Sequence, residues 1–285
     1  EVATAYVTVL RARRAVQVSE ANVESLRNHV QMVGSMFRQQ LVAKNDLLAA
    51  KVALADARQK ALQVRNGVDI AGAAYNRLLG RPLTATAELE EVQVHPMRED
   101  LDTLTARALG TRPELSRLSA QFNALQCQAE STRAANRPQL GVLGGYTYVE
   151  NEHMAPEGYG SATFAVEWVP YDGGLARSHG NALQQKASAV NRLRANAATL
   201  IQLEVRKAWL DEQEARGRID VTSKAIEQAE ENLRVAQNRY RQGEGTNTEV
   251  LDAETLRALT YNNYHNAVYD AILGVLRLQR AVGTL

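Results

Sequence analysis

Cysteine occurs once in the 285 residues, at Cys127, so no disulfide can close within the chain and thiolate metal centres have no material. Cys127 lies in a helical pattern, where a lone thiol is expected to be small, buried or half-buried. Phe occurs 3 times and Trp 2 times, which excludes a thick aromatic core; the abundant alanine favours thin helix-to-helix seams. Proline is limited to 6 residues, leaving long stretches free to be helical. The net charge of +1 produces no strong field, so nothing points to a nucleic-acid partner. No apolar run reaches the length of about 18 residues that a membrane-spanning helix needs. The 5 histidines are His29, His95, His153, His179 and His265. They show no spacing that a metal site needs, and no Ser or Cys nucleophile stands near a recognisable base. The expectation is a protein that is not an enzyme, with no metal and no cofactor. The chain opens at Glu1 already inside a helical pattern, without a start methionine or signal peptide. It reads as a fragment or a processed chain.

What is present is a long internal repeat. The shift that carries Glu1 onto Glu204 aligns residues 1–80 with 204–283 without a gap. "EVATAY" falls on "EVRKAW", "FRQ" (Phe37 to Gln39) on "YRQ" (Tyr240 to Gln242), and Gly80 on Gly283. Val16, Val23, Leu26, Val30, Val33 and Phe37 keep the three-and-four spacing of a coiled-coil seam. Ile219, Ile226, Ala229, Leu233, Ala236 and Tyr240 repeat it. Each copy continues past a break near residues 40–45 or 243–248 into a returning helix. In the second copy that helix keeps the spacing through Tyr261, Tyr264, Val268, Ala271, Val275 and Leu278. Each copy is thus a helical hairpin, and the chain holds a duplicated unit rather than a short-period solenoid. The second outgoing helix runs from near Gly174 to Gln242, roughly 100 Å at about 1.5 Å per residue. Arg11, Arg13 and Arg14 read as a solvated basic face.

Different material separates the copies. Residues 81–111 read as irregular followed by a short helix, and 113–136 as a helix with proline in its first turn. The period then becomes two. From Gln139 to Tyr148, Leu140, Val142, Tyr146 and Tyr148 alternate with small or polar residues; Leu143 is the exception. From Ser161 to Trp168, Ala162, Phe164, Val166 and Trp168 alternate with Ser161, Thr163, Ala165 and Glu167. Two strands of about ten residues, joined by "VENEHMAPEGYG", form a hairpin. That length suits a tilted transmembrane strand, and the same alternation suits a half-buried soluble hairpin. A lone hairpin cannot cross lipid, because its edges would stay unpaired.

The chain resembles the TolC-like outer membrane efflux protein (outer membrane factor) family. The resemblance rests on "EVATAY", "AYNRLLG" (Ala74 to Gly80), "RPEL" (Arg112 to Leu115), "RPQLGVLGGY", "VEWVPYDGG" (Val166 to Gly174), "YRQGEGTNTEVLDAE" (Tyr240 to Glu254) and "LQRAVGTL". It covers essentially all of the chain, in order, and includes the duplication. It implies a mainly α fold with a small β part: long antiparallel coiled-coil hairpins building an α-barrel, and a transmembrane β-hairpin contributing to a trimeric 12-stranded β-barrel. It implies these segments: 1–80, a periplasmic hairpin with its start truncated; 81–112, equatorial; 113–137, a helix of the second repeat; 138–172, the transmembrane hairpin; and 173–285, the second long hairpin. The counterpart of residues 113–203 is expected upstream of Glu1. Phe164, Val166 and Trp168 are the lipid-facing strand residues.

Function follows from the same resemblance: a trimeric channel-tunnel of the cell outer membrane, its helices in the periplasm. It would export small toxic molecules, drugs or secreted proteins. Its implied partners are two further copies of itself, a periplasmic adaptor, an inner-membrane efflux or ABC-type pump, and outer-membrane lipid. A periplasmic adaptor and a structural coiled coil are the rival readings. An adaptor would lack the duplication, and a coiled coil has no use for the strands.

The second turn carries the candidate site. "GEGTNTE" follows a helix and has no lysine, so it is not a phosphate loop. Gly243 can end a helix in the left-handed conformation, and Thr246 to Glu249 spells a capping box. Glu249 and Asp252 share one helix face, and by the resemblance they are pore-aperture carboxylates. Asp46 and Tyr240 match positions of the family's closing lock. Gly245 stands where the lock's arginine is usual, so Arg241, or else Arg38, is expected to substitute. The turns at Gln40, Gly243 and Gly245 are the expected adaptor contacts, and Gln40 stands where the family has glycine.

Overall fold

The computed structural model describes residues 1–92, 97–150, 153 and 158–284. In chain order they form α1 (Val2–Arg38), α2 (Lys44–Leu78), α3 (Leu101–Thr111), α4 (Pro113–Ala134), β1 (Gln139–Tyr148), β2 (Gly158–Glu167), α5 (Leu175–Gln242) and α6 (Asn247–Val282). The fold is mainly helical, with one two-stranded sheet. Two compact units divide it: Glu1–Ala108 with Glu204–Leu285, and Leu109–Leu203. Among the described residues no helix is long and apolar enough to cross a membrane.

In the first unit α1 packs on α2 and on α6. Its interior is a series of small clusters along the helices, as an alanine-rich seam dictates. Val7 and Leu10 meet Tyr269, Ile272 and Leu273; Val9 meets Tyr75 and Ala87; Leu26 meets Leu54 and Ala57. Each fully buried Val or Leu contributes about 1.5–3 kcal/mol. Small residues set the spacing: a Cβ on Gly274 would lie 3.1 Å from Cα of Glu212, so glycine lets α6 approach the α5 backbone. The buried Glu212 is paired with Arg216 one turn on. The three arginines of α1 are not a solvated face. Arg11 donates to Asp270 at 2.5 Å, Arg13 to the carbonyl of Ala87, and Arg14 to Glu91 at 2.6 Å. Half-burial along the α6 side makes pairing cheaper than solvation there.

The second unit contains α4, the sheet and the start of α5. β1 and β2 are antiparallel, with Leu140 opposite Val166 and Val142 opposite Phe164. The in-phase register gathers the apolar residues on one face. β2 starts earlier than the alternation indicated and ends at Glu167, so Trp168 is not a strand residue. Its indole N–H donates instead to the carbonyl of Asn136 at 3.1 Å, beside the entry to β1. Part of the expected linker between the strands lies outside the described residues. The exit motif has a local cause: the Asp172 carboxylate accepts from the backbone N–H groups of Gly174 (2.9 Å) and Ala176 (2.7 Å), capping α5. Gly173 and Gly174 take φ of 71° and 84° to turn the chain into that cap. Cys127 is exposed, contrary to the buried or half-buried thiol expected. The apolar residues of α4 are spread around the helix rather than gathered on one side, so its helical pattern did not tell which face is covered.

Candidate functional site

Two turns bring four helix ends together at the tips of the hairpins. Both turns use the same device. Gln40 N–H donates to Phe37 and Leu41 N–H to Met36; 203 positions later by the repeat, Gly243 N–H donates to Tyr240 and Glu244 N–H to Arg239. This is the Schellman pattern, which needs a left-handed residue. Gly243 supplies it with φ 78°, and Gln40 adopts it at φ 62°. The missing glycine therefore changes the ease of the first turn and not its geometry.

Under the turns, Val33 of α1, Ala50 of α2, Leu233, Ala236 and Tyr240 of α5, and Val250 and Ala253 of α6 form one buried cluster. Burial of Val250 and Ala253 sets the phase of α6. Glu249 and Asp252, each one residue before a buried position, are both exposed. The sequence thus presents two carboxylates at helical spacing on the face turned away from the cluster.

The capping box forms in part. Thr246 Oγ1 accepts from Glu249 N–H at 3.2 Å, but the Glu249 carboxylate turns to Arg239 at 3.6 Å. A Cβ on Gly245 would lie 3.1 Å from both Arg239 Cβ and Glu249 Oε2. The absent side chain at Gly245 is what leaves room for that pair. The arginine of the tip is therefore Arg239 and not Arg241, which makes no ion pair among the described residues. Two positions apart on a helix means opposite directions, about 200°, so only one of the two can reach across the turn.

Asp46 and Tyr240 do meet: the Tyr240 hydroxyl donates to Asp46 Oδ2 at 3.4 Å. Tyr240 is buried, and that burial, with Asp46 beside it, pushes its pKa up to about 12. The hydroxyl stays a donor throughout the physiological range. The bond joins the end of α5 to the start of α2, and so joins one hairpin to the other.

A second tie escaped the sequence reading. Asn247, at the first turn of α6, donates from Nδ2 to the Asp46 carbonyl at 3.2 Å. Its Oδ1 accepts from His29 Nε2 at 2.7 Å. His29 lies between Leu26 and Val33 at three-and-four spacing, so it occupies a seam position; that was the available signal. Two turns further along α6, buried Glu254 accepts from Ser25 and from Gln237, the latter at 3.3 Å, and lies 3.6 Å from Arg257. Among the described residues no group of three or more His, Cys, Asp or Glu side chains could hold a metal ion.

In the second unit, Phe164 and Val166 project from one face of the sheet and are 79% and 68% exposed; Leu140 and Val142 across from them are 81% and 70% exposed. Trp168, just beyond the strand, is exposed as well. Such an exposed apolar face marks a surface that a partner or lipid covers.

Helical hairpins tied at their tips, together with an uncovered strand pair of membrane-crossing length, define a class of outer-membrane channel proteins. The profile of the outer membrane efflux protein family matches residues 104–284, and the chain belongs to that family. Its place is the cell outer membrane, with the helices in the periplasm. The chain is 23% identical to the alkaline protease secretion protein AprF of Pseudomonas aeruginosa, over 99% of this chain and 60% of that protein. It is 24% identical to the outer membrane protein TolC of Vibrio cholerae, over 100% of this chain and 67% of that one. The fold superposes on the outer membrane protein VceC of Vibrio cholerae with a TM-score of 0.83 at 19% identity, covering 99% of this chain and 68% of VceC. The chain thus spans about three fifths of the length of AprF.

Proposed function

We propose that the protein is one third of a trimeric outer-membrane exit duct. It passes small toxic compounds or secreted polypeptides from an inner-membrane pump to the outside, and does no chemistry on them. One observation carries this reading: the exposed two-stranded sheet. Its apolar face is open and its edges are unpaired, so lipid can hold it only as part of a closed barrel. Strands from other copies would close it, and the helical hairpins of three copies would surround a hollow of their own. The pairing of Phe164 and Val166 with Leu140 and Val142 supports a lipid-facing side; Trp168 sits at its rim, where aromatic residues anchor at interfaces.

The tips of the hairpins form the aperture. Three copies of Glu249 and Asp252 gather like charges around a narrow opening, which attracts cations and repels anions. The mutual repulsion must be restrained in the closed state, and the Tyr240–Asp46 bond between hairpins does so in each subunit. The tips at Gln40, Gly243 and Gly245 would also receive the hairpin of a periplasmic adaptor, helix against helix. The carboxylate role is tested by reversal potentials of the full-length protein in planar bilayers. Glu249→Gln with Asp252→Asn is expected to abolish most of the cation preference and the block by multivalent cations. An unchanged preference refutes the ring.

A further inference from the structure

We propose that His29 and Asn247 are positioning residues of the aperture, a proton-sensitive relay that holds the two hairpins closed. The inference rests on the reading of the tips as an aperture. Asp46 is fixed twice, by its carboxylate to Tyr240 and by its backbone carbonyl to Asn247. A carbonyl only accepts, so Asn247 must direct its NH2 there and present Oδ1 to the imidazole. That assignment places the ring proton of His29 on Nε2. The relay then runs from α1 through the first turn of α6 to the first turn of α2, with Tyr240 of α5 packed beside the ring at 5.7 Å. Hydrogen bonds through Asn247 thus join α1, α6 and α2, and α5 packs against the imidazole.

The weak point of the relay is the other nitrogen. His29 is 2% exposed, and Nδ1 is buried with no hydrogen-bond partner. A neutral ring tolerates this, because Nδ1 then carries only a lone pair. A protonated ring does not, since a buried N–H without an acceptor loses its hydration for nothing. The surroundings of the ring bear this out. From α6, Glu254 favours the charged ring but is itself engaged by Ser25, Gln237 and Arg257. Asn247 of α6 links the ring to the Asp46 carbonyl of α2, and Tyr240 of α5 packs beside the ring with its hydroxyl turned to Asp46. Glu227, Glu230, Glu231, Arg234 and Arg241 of α5 and Arg257 of α6 line a cleft of 620 Å3 with His29, and carry charges of both signs. Burial outweighs both the Asn247 hydrogen bond and Glu254 and holds the His29 pKa below the usual imidazole value.

Linkage gives the direction. The imidazole binds protons less readily in the closed aperture than when the tips part and water reaches the ring. Acid therefore favours the open state, from about pH 6.5 downward until the lowered pKa is passed. Within that window each subunit shifts the balance by up to about tenfold per pH unit.

The test is conductance of the full-length protein in planar lipid bilayers, scanned from pH 8 to pH 5. The wild type is expected to show a rise in conductance below about pH 6.5. His29→Gln keeps a donor toward Asn247 and cannot titrate, so its conductance should stay low and flat. Asn247→Ala leaves the imidazole in place but cuts the relay, and should conduct at pH 8 as the wild type does at pH 5. His265→Gln, which removes another partly buried imidazole, should keep the wild-type rise. A rise that survives in His29→Gln, a flat wild-type profile, or an Asn247→Ala protein indistinguishable from wild type overturns the relay. A conducting protein with a flat profile removes the relay alone; a wild type that never conducts removes the duct reading and the relay together.

Discussion

Exchange of the residues at the two turns tests whether the duplicated tips differ in strain alone. Gln40 and Gly243 hold the same place in the repeat and the same hydrogen bonds, at φ 62° and 78°. A left-handed conformation costs an L-residue about 1–2 kcal/mol. Introducing glycine loosens the unfolded turn and returns about 0.4–1 kcal/mol of that. Gln40→Gly should therefore stabilise the first turn by about 0.5–1 kcal/mol, a factor of about 2–5 in the local opening equilibrium. The second turn has room for a side chain: a Cβ on Gly243 meets nothing within 4 Å. Gly243→Gln should then lose about the same amount, through conformation alone. Hydrogen exchange read by mass spectrometry on the full-length protein reports both, through the Leu41 amide for the first turn and the Glu244 amide for the second. Protection should rise in Gln40→Gly and fall in Gly243→Gln by similar factors. If Gln40→Gly lowers protection, or Gly243→Gln leaves it unchanged, the strain argument is wrong.

Two further substitutions probe packing and charge at the same tips. Leu233→Ala empties a site in the tip cluster that is 4% exposed and should lower stability by about 2–5 kcal/mol, read from thermal or denaturant unfolding. Arg239→Gln removes an ion pair whose side chains are 50% and 44% exposed; its effect should stay below about 1 kcal/mol and vanish at high salt.

Much of the architecture was legible because the chain is periodic. The three-and-four spacing marked both outgoing helices and the second returning helix, and the turns fell where it broke. β1 was read to the residue, since Leu140 to Tyr148 alternate and Pro138 precedes them. β2 was read less well at both ends. Gly158 and Gly160 carry no side chain to mark a face, and Trp168 continues the alternation although its indole has left the strand to bond Asn136. Period alone cannot see such a departure. The candidate site divides in the same way. The exposure of Glu249 and Asp252 followed from helical spacing, and the meeting of Asp46 with Tyr240 from resemblance. The role of Arg239 was hidden, because which arginine enters the space at Gly245 depends on the path of the turn. His29 and Asn247 were hidden for another reason. Polar residues at seam positions announce a buried network only when their partners, far apart in sequence, are known. The arginines of α1 make the same point: charge reads as solvated until a partner such as Asp270 or Glu91 is brought beside it.

The central claim is that the exposed strand pair crosses lipid as part of a closed barrel. Spin labels placed singly along 158–167 in the reconstituted full-length protein measure it directly, through relaxation by oxygen, which partitions into lipid, against a water-soluble nickel chelate. The account predicts alternation: Ala162, Phe164 and Val166 oxygen-accessible, with Ser161, Thr163 and Ala165 facing water. Uniform access of the nickel chelate along the strand, or shielding of both faces from both reagents, would contradict it.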